Sequence, residues 1–237
     1  MRQNVGMTQG SSDARWPKLL SLAVHEFRTP MTVVAGYIRM LLKERAGPLN
    51  DQQRKLLEEA EKSCGRLSAL VAEMSDLGNL EGGTAPFAKA TVDLPALLAE
   101  VVAALPPTPD RDVRVQLQGN DRAATLPGDA TRLRNAFSAV LVGMRRELVT
   151  TDVLFVRHSV KSSDGDLMSV VTIGDEDAIA RLEASSQADL GVFDEWRGGC
   201  GLSLAIARRT FAAHGGGIWS PSSGAKVAAL IQVPLSR

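Results

Sequence analysis

The sequence predicts an α+β protein in two parts: an antiparallel helical hairpin that forms a dimeric four-helix bundle, followed by an α/β sandwich. Three observations carry this prediction. Two long segments, about 13–46 and 50–80, keep apolar residues at three- and four-residue spacing, and Gly47-Pro48-Leu49 breaks the pattern between them. The second segment closes on the short linker Glu81-Gly82-Gly83-Thr84. Beyond the linker, β-rich runs alternate with shorter helical ones, the pattern of a layered sheet domain.

Residues 1–12 are read as a disordered N-terminus, and the hairpin occupies 13–81. In its first helix, about 100° per residue puts Leu20, Ala23, Val24, Phe27, Met31, Val34, Ile38 and Leu41 on one side. His25, Arg28, Thr29, Thr32, Arg39 and Lys43 fall on the other. Pro30 lies inside this helix and removes one backbone hydrogen bond, so a bend is expected one turn past His25. Asn50 with Gln53 three residues later reads as a capping box opening the second helix. Its apolar stripe is Leu56, Ala60, Leu67, Leu70, Met74 and Leu77. Two such helices cannot bury both stripes alone, and pairing two hairpins into a bundle gives a homodimer.

The second part, 85–237, is expected to hold helices at about 94–105, 130–148 and 202–214. Strands are expected at 113–117, 153–159 and 168–173, near Ile218, and at 227–233. Pro106-Pro107-Thr108-Pro109 and Ser185-Ser186-Gln187 read as surface loops.

Composition narrows the function classes. The chain has 237 residues, 44% of them hydrophobic, and its 27 basic and 27 acidic side chains balance. Zero net charge argues against general affinity for nucleic acid or a membrane surface. Cys64 and Cys200 have no metal-ligand spacing and read as free thiols of a reducing compartment. No apolar run approaches the roughly 20 residues that a membrane span needs, and the start lacks a signal-peptide core, so the expected location is cytoplasmic. Any sensor would then be a separate protein or a segment outside this sequence.

His25 is the leading candidate for chemistry. On the solvent side of its helix it is a titratable nucleophile with the Glu26 carboxylate beside it and the Thr29 hydroxyl one turn on. A zinc helix of the H-E-x-x-H kind is excluded because Thr29 stands where the second histidine would be.

His25-Glu26-x-Arg28-Thr29-Pro30 resembles the phosphoacceptor box of the sensor histidine kinases of two-component systems. The later elements keep that family's order and resemble the ATP-binding sandwich shared by histidine kinases, gyrase and related ATPases. The resemblance covers about 13–235 and is strongest over 19–80. It implies ATP and Mg2+ as cofactors, a homodimer, and the receiver domain of a response regulator as partner.

Box by box, the implied nucleotide site departs from the family pattern. The helix beginning Asp129-Ala130-Thr131-Arg132-Leu133 should present two asparagines, the second a magnesium ligand, and carries Ala139 and Gly143 instead. Neither side chain offers an oxygen, so no residue is assigned to a metal. Arg146 follows at a basic position suited to a phosphate. In the next box Asp175 survives as the implied adenine contact, while Asp177 and Ile179 replace two glycines. Gly199-Cys200-Gly201-Leu202 preserves the phosphate-binding glycines ahead of a helix, where free amides favour an anion. The lid between Phe193 and Gly199 is short, with Trp196 and Arg197 its functional candidates. His158 and His214 are read as structural.

Three functions follow. The first is a histidine kinase in which ATP held by Asp175, Gly199, Gly201, Leu202, Arg146 and Arg197 phosphorylates His25, with Glu26 as polarising base. The second moves or removes phosphoryl groups without ATP, with Thr29 orienting water in the acid-x-x-Thr pattern of family members that have phosphatase activity. The third is a dimeric binding module without chemistry, which would be indifferent to His25→Gln.

Overall fold

The computed structural model describes residues 15–108, 111–119, 124–163, 166–185, 189–222 and 227–236. The expected N-terminal disorder, the first two helical residues and parts of both loop runs lie outside them. The chain divides into two compact units between Ala85 and Pro86.

The first unit is the hairpin. Helix α1 spans Arg15–Leu42 without interruption at Pro30, and α2 spans Asp51–Glu81. The sequence pattern carried the first helix to about residue 46. It stops earlier because Glu44 takes a φ of 56°, a left-handed value that ends helical hydrogen bonding. At the start of α2 the Asn50 side chain accepts from the Gln53 amide at 2.8 Å. The Gln53 side chain accepts from the Asn50 amide at 3.0 Å, completing the capping box. Leu20, Val24 and Ile38 are buried, together with Val71. Leu20 packs onto Gly78, where a Cβ would meet its Cδ2 at 3.4 Å. Much of the remaining apolar surface stays exposed, including Leu22, Phe27, Val34, Tyr37, Leu56, Leu67 and Leu70.

The second unit is a mixed α/β layer structure. Its elements are β1 (Ala90–Asp93), α3 (Leu94–Ala103), β2 (Arg114–Gly119), β3 (Thr125–Gly128), α4 (Ala130–Glu147), β4 (Val153–Ser163) and β5 (Asp166–Gly174). They continue with α5 (Glu176–Ala184), β6 (Leu190–Val192), a short helical turn at Arg197–Gly199, α6 (Ser203–Ala213), β7 (Gly217–Pro221) and β8 (Ala228–Pro234). The main sheet runs β2-β4-β5-β8-β7-β6, with β2 and β4 parallel and the other pairs antiparallel. A separate antiparallel pair joins β1 to β3.

Alternation along the central strands separates two cores. Val171, Ile173, Ala229, Ile231 and Val233 face α3, α4 and α6 in a large cluster containing Leu98, Leu133, Phe137, Leu141 and Phe211. The intervening Val170, Ala228 and Leu230 form a second cluster with Ala178 and Leu182 of α5. Helix α5 therefore covers the opposite face of the sheet.

Candidate functional site

The candidate phosphoacceptor residues lie on a single helix face of the first unit. The His25 and Glu26 side chains are 76% and 72% exposed, and His25 Nδ1 lies 3.5 Å from Glu26 Oε1. Thr29 is exposed one turn on. Thr32 Oγ1 donates to the Arg28 carbonyl at 2.8 Å, tying its hydroxyl to the turn that contains Pro30. His25, Glu26 and Thr29 thus share one solvent-facing surface of α1.

The residues expected to meet a nucleotide lie in the second unit, around α4. Gly143 is buried, and a Cβ there would stand 3.2 Å from Cys200 Sγ and 3.4 Å from Leu204 Cδ1. Ala139 packs against the core one turn earlier. The glycine loop follows the turn Arg197–Gly199 and leads into α6. Gly198, Gly199 and Gly201 have φ values of 69°, 59° and 60°, backbone that side-chain-bearing residues rarely adopt. The N-cap position of α6 is Leu202, which makes no side-chain cap hydrogen bond, so it leaves first-turn amides to be met by other groups.

Several expected ligands have partners within the protein. Asp175 is the N-cap of α5, and its Oδ1 accepts from the Ala178 amide at 2.8 Å while Thr150 Oγ1 donates to Oδ2 at 3.4 Å. The two expected glycine positions belong to this helix: Asp177 is exposed in its first turn and Ile179 is fully buried. Arg197 Nε donates to Glu147 Oε2 at 2.7 Å, and its guanidinium lies 5.7 Å from the Phe193 ring centre. Arg146 is exposed, with Nη1 3.5 Å from the Gly198 carbonyl and 3.4 Å from that of Gly199.

Sequence reasoning missed the residues that hold these groups in place. Glu147 fixes the lid through Arg197, and Glu195 receives Arg208 at 3.1 Å as well as Arg209. Cys200 is half-buried beneath the lid turn, and burial raises its thiol pKa. These partners are 13 to 50 residues apart in sequence, so no local pattern announces them.

The structural histidines have defined partners. His158 is buried on β4, with Nε2 2.9 Å from Ser169 Oγ, and burial lowers its pKa against a smaller opposing effect of Asp93. His214 accepts from the Asp129 amide at 3.0 Å through Nε2, while Nδ1 lies 2.7 Å from the Thr210 carbonyl. Its ring also meets Phe87 edge-on at 5.3 Å.

Among the described residues no three His, Cys, Asp or Glu side chains are grouped to hold a metal, and no helix is long and apolar enough to cross a membrane.

Comparison with known proteins identifies the acceptor unit. Residues 18–83 match the His Kinase A (phospho-acceptor) domain. The circadian input-output histidine kinase CikA of Synechococcus elongatus is 25% identical over 90% of this chain, which spans 29% of that protein. The cell-division control histidine kinase PdhS of Brucella abortus is 25% identical over 81% of this chain and 20% of its own length. The chain therefore spans well under half of these curated relatives. The crystal structure of full-length ShkA in complex with AMPPNP superposes with a TM-score of 0.66 at 23% identity, covering 93% of this chain and 46% of that one. Its likeness extends the shared fold across both units, and it is residues 18–83 that belong to the His Kinase A (phospho-acceptor) domain family.

Proposed function

We propose that the chain is the transmitter part of a two-component histidine kinase, in which His25 accepts a phosphoryl group and passes it to an aspartate of a response-regulator receiver domain. The exposed His25–Glu26 pair within a His Kinase A domain carries this reading. With Glu26 holding the proton on Nδ1, the Nε2 lone pair is the nucleophile. The Nε2–P bond forms as the P–O bond to the donor breaks, and the donor's leaving oxygen keeps the electron pair. In the onward step an aspartate oxygen attacks phosphorus and the N–P pair returns to the imidazole.

The hairpin's exposed apolar side chains, Leu22, Val34, Leu56, Leu67 and Leu70 among them, support a homodimer closed as a four-helix bundle. The AMPPNP named with ShkA, together with the glycine loop here, supports ATP as donor. A magnesium–nucleotide complex, if bound, would supply the phosphoryl group and neutralise its developing charge. The residues present do not fit that metal: Gly143 and Ala139 offer no side-chain oxygen, and Gly143 is covered by Cys200 and Leu204.

We infer that charging of His25 from nucleotide is slow relative to exchange with the regulator. This filled metal position also favours the second reading, an ATP-independent phosphotransferase in which Thr29 orients a water for dephosphorylating the regulator.

The deciding experiment incubates the purified chain with Mg2+ and γ-labelled ATP, and separately with a labelled receiver domain, beside His25→Gln. Acid-labile label on the wild type alone supports the phosphoacceptor role, and its source separates the two readings. Equal labelling of His25→Gln by both donors would overturn both.

A further inference from the structure

The lid turn does not stand away from α4 but sits on it, and we propose that the Glu147–Arg197 ion pair is the latch that holds this turn shut against an incoming nucleoside triphosphate. The proposal rests on reading Gly199 to Gly201 as the phosphate loop.

Two observations meet at the turn. The first is a backbone seat. A Cβ on Gly198 would stand 3.0 Å from the Gly143 carbonyl oxygen and 3.1 Å from its Cα, and Gly198 needs its φ of 69° besides. From the other side, Cys200 Sγ and Leu204 fill the space a side chain on residue 143 would occupy. The metal-ligand position is therefore the floor on which the lid rests. The Gly198 and Gly199 carbonyls face Arg146, the cation otherwise placed to meet a phosphate.

The second observation is what fastens the turn. Arg197 opens it, and both Nε and Nη2 reach Glu147 Oε2 at the last residue of α4. The Arg197 side chain is only 9% exposed and lies against Phe193, itself buried in the main core. An ion pair shielded in this way resists screening, and removing one partner leaves a charge that gains by moving out to water. Loss of Glu147 should therefore lift the turn off Gly143. Cys200, packed beneath the turn, then becomes accessible and reports the opening without any nucleotide present.

The test uses the full chain as wild type, Glu147→Gln, and the charge swap Glu147→Arg with Arg197→Glu. Two quantities are read: the rate of Cys200 labelling by a thiol reagent, located by peptide mass spectrometry, and the affinity for trinitrophenyl-ATP in Mg2+. In Glu147→Gln, labelling should accelerate about tenfold and nucleotide affinity rise about fivefold, and the swap should bring both back toward wild type. Wild-type labelling in a folded Glu147→Gln overturns the latch. Faster labelling with no nucleotide binding shows that the pair fastens the turn but overturns nucleotide as what it excludes, and counts against the ATP reading of the site. If Glu147→Gln melts below the assay temperature, the swap decides: slow Cys200 labelling supports the latch, fast labelling overturns it.

Discussion

The Asp175 carboxylate accepts a 2.8 Å hydrogen bond from the Ala178 amide, so it caps the helix that covers the far face of the sheet. A cap of this kind is worth about 0.5–2 kcal/mol. Asp175→Ala should lower stability by about 1 kcal/mol, read by chemical denaturation, whereas Asp175→Ser should stay within about 0.5 kcal/mol because its hydroxyl still caps. An adenine contact would appear separately, as weaker nucleotide binding in Asp175→Ser at unchanged stability.

Restoring the family pattern at Gly143 carries a structural cost. An asparagine there needs room held by Cys200 Sγ and Leu204, so Gly143→Asn should destabilise by about 1–3 kcal/mol, as overpacking does. Ile179→Gly should cost more, about 2–5 kcal/mol, because Ile179 is fully buried and its removal leaves a cavity under α5. Thermal melts of the two single variants check both values.

His158 gives stability a pH dependence near neutrality. Its folded pKa lies below the usual 6.5 because burial disfavours the imidazolium, so below pH about 6.5 the unfolded chain binds a proton that the folded chain refuses. The stability is fully present above that pH and declines as pH falls from there toward the depressed folded value. Charge on the ring would also meet the buried Ser169 hydroxyl. His158→Gln should melt with a shallower pH dependence between about 6.5 and 5 than the wild type. Equal slopes would remove His158 as the cause.

Dimerisation is testable on the exposed stripe of the hairpin. Val34 and Leu67 are both exposed in the single chain. The wild type should sediment as a dimer at micromolar concentration, and Val34→Asp with Leu67→Asp should shift it to monomer, since unpaired charges are costly in an apolar interface.

The hairpin was legible because its signals are local: the apolar spacing and the Asn50–Gln53 capping box lie within a few residues of one another. Strands β4, β5 and β8 were likewise legible as β-branched runs. Strands β1 and β3 were not, since four-residue strands leave little alternation to detect. Helix α5 is obscured in the sequence because residues 175–179 resemble a glycine box that lacks its glycines. The aspartate cap, two first-turn acids, and Ala178, Ile179 and Leu182 facing inward were the available helix signal.

At the site, residue types were readable but their engagements were not. Arg197 read as a nucleotide ligand and is held by Glu147, 50 positions away. Arg146 stands against carbonyls of the loop it was expected to assist. Pairings of that separation depend on how α4 and the lid pack, which no local periodicity encodes.

The Gly143–Gly198 seat bears on which substitutions this part of the fold can absorb. Gly198 leaves room for the Gly143 backbone, and Cys200 and Leu204 occupy the space beside Gly143. A larger residue at position 143 alone meets a crowded neighbourhood, so its cost in packing comes before any ligand it could contribute. A side chain at position 143 therefore needs its neighbours to move first, and packing around the position, rather than residue 143 alone, sets what it can hold.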